Sequence, residues 1–195
     1  MGQVVGTIHL SQRDGSAMYY VNSLKDLTNV IIPHFEKYPL LTQKRADFLL
    51  FKSVVELMND KEHLKIDGLD KIVSIRASMN KGLPAVLTEA FPNAIPVSRP
   101  LVEVPENIDP YWLAGFSEGE SCFNVSISKS KTCKIGFRVQ LRFIIGQHSR
   151  DSLLFESILK NWQCGKIGVE SQNLVVRFNV LKFTELNDII IPFRL

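Results

Sequence analysis

Cysteine is scarce in this chain of 195 residues: Cys122, Cys133 and Cys164 are the full set, and no two form a C-x-x-C pair. That excludes a disulfide scaffold and argues against a cysteine-built metal centre. No run of about 18 apolar residues occurs, so a membrane-spanning helix is not expected. The opening MGQVVGTIHL has no Lys or Arg and no apolar core, unlike a secretory signal. It lacks the Arg- and Ser-rich pattern of an imported organellar protein, and without Ser or Thr after Val5 it is no myristoylation signal. An excess of either charge sign is nearly absent overall, with 23 Lys and Arg against 20 Asp and Glu, a net +3. The 45% apolar and 22% charged residues are ordinary globular proportions, which exclude a disordered or collagen-like chain.

What is present is unevenly distributed. Six of the nine prolines fall between Pro84 and Pro110, and that stretch reads as a semi-rigid linker with one helical turn near Thr88. Residues 121–150 hold six Lys or Arg and no acid, a net +6, so the remainder of the chain sums to −3. An internal repeat also runs at an ungapped offset of 159 residues. Gly6-Thr7-Ile8 matches Gly165-Lys166-Ile167, Val21 matches Val180 and Leu27 matches Leu186. Asn29-Val30-Ile31-Ile32-Pro33 matches Asp188-Ile189-Ile190-Ile191-Pro192. The chain reads as the back half of one copy joined to the front part of another: 1–83, a linker over 84–109, and 110–195.

Periodicity gives an α+β chain with antiparallel hairpins. Strands are expected at 4–10 and 17–21, joined through Arg13-Asp14-Gly15, and a second hairpin at 166–181. Helices are expected at 24–36 behind Ser23, at 43–59 behind Thr42, at 67–79, at 150–162 and at 183–191.

Asp109 can cap a helix over 110–120, with Pro110 at its first position. Gly115 and Gly119 each cost about 1 kcal/mol in an exposed helix interior, so a close partner is expected along that side. Glu118 and Glu120 end the helix, where a carboxylate opposes the helix dipole and a bound cation would compensate.

Two strands follow, at 121–129 and 135–145. Asn124, Ser126 and Ser128 alternate with Phe123, Val125 and Ile127. Lys134, Gly136, Arg138, Gln140 and Arg142 alternate with Ile135, Phe137, Val139, Leu141 and Phe143. One face is therefore oily and expected to pack on helices. The other carries side chains that hydrogen-bond base edges and phosphates, on a β-ribbon that fits the major groove. Lys166, Arg177 and Asn179 extend it from the second hairpin. A solvated charged surface is the alternative reading. His9, His34, His63 and His148 have no ligand spacing, and Trp112 and Trp162 read as core.

Leu113-Ala114-Gly115-Phe116-Ser117-Glu118-Gly119-Glu120-Ser121 resembles the nine-residue motif that names the LAGLIDADG homing endonucleases. Trp112 and Phe123 flank it as in many fungal organellar members, and Ser121 stands where the family has its final Gly. The segment from His34 to Lys44, Lys61-Glu62-His63-Leu64 and Met79-Asn80-Lys81-Gly82-Leu83 are also similar to two-repeat members. The resemblance implies αββαββα repeats with antiparallel sheets, here in incomplete copies. It implies a site-specific endonuclease that reads double-stranded DNA and uses Mg²⁺. Glu120 would be the metal ligand, Gln147 the residue that positions water, and Lys44 the basic residue that stabilises charge at the phosphate. The family pairs two motif helices and this chain has one, so a second chain is a further implied partner. An intron-RNA-binding maturase or an inactive nucleic-acid-binding fragment is the alternative. The flanks imply an intron-encoded mitochondrial protein.

Overall fold

Alternation and a tight turn make the first element a hairpin. In the computed structural model, which describes residues 5–170, 172 and 174–193, β1 (Thr7–Leu10) pairs antiparallel with β2 (Ala17–Tyr20). The expected strand start at residue 4 lies outside the described residues. The Asp14 carboxylate closes the turn, accepting from Ser16 N at 3.1 Å and Ser16 Oγ at 2.8 Å. Hydrogen bonds from Ser11 and Ser16 hold its pKa down to about 2.

Ser23 Oγ accepts from Asp26 N at 3.3 Å and starts α1 (Leu24–Asp26), which continues through a π turn (Leu27–Ile31) into α2 (Ile32–Lys37). Pro33 explains the wide turn: it has no N–H, and its ring would strike the carbonyl four residues back in a regular helix. Next come α3 (Lys44–Asn59), which buries Ala46, Leu50 and Val55, and α4 (Ile66–Ala77), which buries Val73 and Ile75. Residues 84–109 contain a short helix, α5 (Ala85–Ala90). Arg99 then ties the stretch down, donating to Asp47 Oδ1 at 2.8 Å and to the carbonyls of Ser78 at 2.5 Å and Gln43 at 3.3 Å. The chain divides into two units between Val102 and Glu103, inside the proline-rich stretch.

In the second unit, Ser157 Oγ donates to the Pro105 carbonyl at 2.7 Å, and Asn161 Nδ2 donates to that of Glu106 at 2.7 Å. Then follow α6 (Pro110–Glu120), β3 (Ser121–Lys129), β4 (Phe137–His148), α7 (Ser152–Trp162), β5 (Lys166–Glu170), β6 (Val175–Val180) and α8 (Phe183–Glu185) with its π turn (Leu186–Ile190). The antiparallel sheet has the order β3-β4-β6-β5. Its core joins Phe143, Ile145, Val176, Phe178 and Val180 to Leu154, Phe155, Ile158 and Trp162 of α7, with Leu113 of α6 also buried. Among the described residues, no helix is long and apolar enough to cross a membrane.

The repeat is structural as well as sequential. Thr7 faces Tyr20 as Lys166 faces Asn179, both π turns hold the same register, and Gly6 and Gly165 share φ +79°. A Cβ would meet the Tyr20 carbonyl at 2.6 Å in the first copy and the Asn179 carbonyl at 2.9 Å in the second. A side chain fits neither place.

Two expectations about the β3–β4 ribbon need correction. The oily face is not packed on helices along its length. Phe143 and Ile145 are buried, but Phe123 is 71% exposed, Val125 61%, Ile127 67% and Val139 58%. Among the described residues α7 lies against β5 and β6, and α6 against β3 and β4. The ribbon's outer half extends beyond both, and β3 is an edge strand. In addition, β4 begins at Phe137, so Ile135, Gly136 (φ +74°) and Lys134 belong to the turn instead of a strand face.

Candidate nucleic-acid interface

Cross-strand register decides which side chains share a face. Asn124 stands opposite Arg142, Ser126 opposite Gln140 and Ser128 opposite Arg138. Across β4 and β6, Ile144 faces Asn179 and Gly146 faces Arg177; Lys166 faces Asn179 across β5 and β6. Directly opposed residues project to the same side. Asn124, Ser126, Ser128, Arg138, Gln140, Arg142, Lys166, Arg177 and Asn179 therefore form one polar face. The opposite side is that of Phe143, Ile145, Val176 and Phe178. Lys134 sits exposed in the turn at the ribbon's tip.

The face is partly preorganised. Arg142 Nη2 donates to Gln140 Oε1 at 3.0 Å, while Arg142 Nε is buried without a hydrogen-bond partner. Such an atom costs free energy until a ligand satisfies it. Arg177 forms an ion pair with Glu170 of β5. Sequence reasoning missed that acid on the basic face, along with Gly146 and Gly168; only the pairing of β6 with both neighbours reveals them.

Asp109 Oδ1 accepts from Tyr111 N at 2.9 Å and Trp112 N at 3.0 Å, which fixes the start of α6. Glu120 is its last residue and is exposed. Ser121 follows with φ −98° and ψ 162°, an extended conformation open to any residue, so the helix passes into β3 without a glycine. Open space lies where Cβ atoms on Gly115 and Gly119 would point, so the close partner expected along that side is not met among the described residues. Gln147 alternates with Phe143 and Ile145, on the helix-packed side of β4, opposite Val176. Lys44 opens α3 in the first unit, exposed, with its N–H donated to Thr42 Oγ1 at 3.3 Å. No group of three or more His, Cys, Asp or Glu that could hold a metal comes together among the described residues. Burial pushes the Cys164 thiol up, and the cysteines are free.

A motif helix ending in Glu120 thus leads into a ribbon with one polar face. The profile described as LAGLIDADG endonuclease matches residues 1–55 and 113–194. The chain belongs to the LAGLIDADG endonuclease family. It is 42% identical over 191 residues to "Probable intron-encoded endonuclease 3" of Neurospora crassa, covering 97% of this chain and 35% of that protein. It is also similar to the LAGLIDADG homing endonuclease I-LtrWI bound to target DNA, with a TM-score of 0.90, 45% identity, and coverage of 96% of this chain and 62% of that one. I-SmaMI bound to uncleaved DNA in the presence of calcium ions gives a TM-score of 0.90 and 43% identity, covering 97% of this chain and 64% of the other. Two further I-SmaMI structures carry lysine-to-alanine substitutions 159 residues apart in that protein. This chain thus spans about a third of the curated relative and under two thirds of the solved structures. LAGLIDADG endonucleases are divalent-metal nucleases, and the mixed fold with antiparallel sheets is theirs.

Proposed function

We propose that this chain is part of a site-specific, Mg²⁺-dependent DNA endonuclease, encoded within a fungal mitochondrial intron, and that the polar sheet face reads its target in the major groove. One observation carries the reading. Nine polar or basic side chains share the side of the sheet turned away from the core. They lie in a chain 43% identical to an endonuclease solved on DNA. Arg138, Arg142 and Arg177 suit guanine edges or phosphates, and Gln140, Asn124 and Asn179 suit adenine.

Glu120 offers a single exposed carboxylate. That fits one half of a Mg²⁺ site, because Mg²⁺ accepts one or two carboxylates together with water and substrate phosphate oxygens. When bound, the metal supplies an activated water and neutralises charge on the leaving oxygen. Gln147 would orient water by its amide, and Lys44 would stabilise charge at the phosphate. The spacing of the substituted lysines in I-SmaMI equals the repeat offset here, which supports Lys44 as a member of a duplicated pair. The second carboxylate would come from a further motif helix, in the same polypeptide or in a second chain.

The test selects duplexes bound by the chain from a random library, then assays them for nicking with Mg²⁺. Glu120→Gln should retain binding within a few-fold and lose the nick. Selective binding of folded intron RNA with no duplex preference would transfer the function to RNA. A Glu120→Gln protein that still nicks would remove Glu120 from the site.

A further inference from the structure

The proline-rich stretch is anchored at both ends. On the side of the first unit, Val97 N donates to the Ser74 carbonyl at 3.3 Å, and Ser78 Oγ donates to the Val97 carbonyl. Arg99 follows, with its guanidinium on Asp47 Oδ1 at 2.8 Å and on the carbonyls of Ser78 and Gln43. Asp47 Oδ1 also accepts from Asn80 N at 3.0 Å, and the Asp47 side chain is only 14% exposed. One carboxylate therefore joins α3, the loop after α4 and the linker. Hydrogen bonds between charged partners are the strong ones, and this pair is largely shielded from water.

On the side of the second unit, α7 supplies the anchor. Ser157 is buried, and its Oγ donates to the Pro105 carbonyl at 2.7 Å. The Asn161 amide uses both ends: Nδ2 donates to the Glu106 carbonyl at 2.7 Å, and Oδ1 accepts from Ile108 N at 3.1 Å. The Ile108 side chain is buried, directly before the Asp109 cap of α6. Between the anchors lie Pro100, Leu101, Val102, Glu103 and Val104. Among the described residues, no backbone–backbone hydrogen bond holds these five, and Leu101 is 92% exposed. Five residues reach at most about 18 Å when fully extended, and Pro100 stiffens them. Loop length alone adds little closure entropy, so a connection that merely joined two units would need no such anchors.

We infer that Arg99 with Asp47, and Asn161 with Ser157, are positioning residues: they set the length of the tether, and so make the chain select the spacing between the duplex segments that its two units contact. The inference rests on the DNA-reading proposal above, together with the repeat that gives each unit a matching hairpin. B-DNA advances about 3.4 Å and turns about 35° per base pair. One inserted base pair therefore displaces a segment in both distance and direction. A tether of five residues has little slack for that change. A tether twice as long reaches about 35 Å and absorbs it.

The experiment starts from a duplex selected by the unaltered chain, with the segments contacted by each unit mapped by hydroxyl-radical footprinting. One or two base pairs are then inserted between those segments. Each insertion should weaken the unaltered chain about tenfold or more, because the second contact no longer gains from linkage to the first. Two altered chains are compared. Arg99→Ala/Ser157→Ala/Asn161→Ala removes the anchors and frees residues 98–107. A five-residue Gly-Ser insert between Val102 and Glu103 lengthens the tether to the same extent and leaves every anchor bond in place. Both should bind the original duplex within about threefold of the unaltered chain and lose at most about threefold on insertion of base pairs. Arg99→Ala alone, at a side chain 32% exposed, repeats the anchor test without touching the second unit and should give part of the same relief. Equal insertion penalties in the unaltered and Gly-Ser chains would overturn the inference, as would relief by the Gly-Ser insert with none from Arg99→Ala. A footprint confined to one unit would also overturn it and leave the DNA-reading proposal standing; absence of duplex preference in the unaltered chain would defeat that proposal first.

Discussion

Glu170 is the acid on an otherwise basic surface, and its ion pair occupies Arg177. Replacing it with Gln frees the guanidinium for a phosphate. Glu170→Gln should therefore tighten binding to any duplex and steepen the salt dependence by about 0.9 in slope. Fluorescence anisotropy over a salt series reads both, and an unchanged slope would show that Arg177 does not touch phosphate. Glu185 acts instead on stability. Lys182 Nζ stands 2.8 Å from its carboxylate, and Gly165 N donates to it at 3.1 Å. The lysine, then that N–H, hold its pKa below the ordinary carboxylate value. A folded-state pKa that is depressed gives stability present above the unfolded value and lost as pH falls through the folded one. Glu185→Gln should reduce stability near neutrality and flatten its decline on the acid side of the carboxylate range, measured by urea unfolding at stepped pH. An unaltered acid limb would assign that loss to other carboxylates.

At the scale of elements, hairpins and helices follow from local rules. The Asp109 cap and Pro110 set the start of α6, and Ser23 sets that of α1. The π turns arise where Ile-Ile-Pro occurs, once in each copy. Entry into β1 and β5 depends on a glycine, because φ is +79° and a strand carbonyl lies where Cβ would be. Gly165→Ala should destabilise the second unit by more than about 1 kcal/mol, since both the backbone conformation and the space are unsuitable. Chemical denaturation followed by Trp fluorescence measures this through buried Trp162. A neutral result would mean that the β5–β6 register can shift.

For the whole molecule, the exposed outer half of the β3–β4 ribbon is the main consequence of how the elements combine. An uncovered apolar strand face favours association. Val125→Thr, Ile127→Thr and Val139→Thr keep strand-compatible side chains on that face while removing apolar surface. The triple variant should bind less hydrophobic dye and aggregate less on light scattering, with its unfolding midpoint nearly unchanged. A large loss of stability would mean that these residues are packed in solution.

Most elements were legible from residue patterns because caps, prolines and alternation act within a few positions. The motif around Glu120, the basic composition of 121–150 and the 159-residue repeat are likewise properties of the linear chain. Alternation along β3 and β4 already separated Arg138, Gln140 and Arg142 from Val139 and Leu141. What alternation could not supply was coverage. Whether an oily face is buried depends on which helices lie over it, and among the described residues neither α6 nor α7 covers the ribbon's outer half. Nor could it pair Glu170 with Arg177, since cross-strand neighbours are set by register between strands. Local backbone preferences act along the chain, so the elements, the family motif and the repeat are legible in the order of residues. Burial and pairing are made across the chain, so which faces meet solvent and which side chains stand together emerge from the folded molecule.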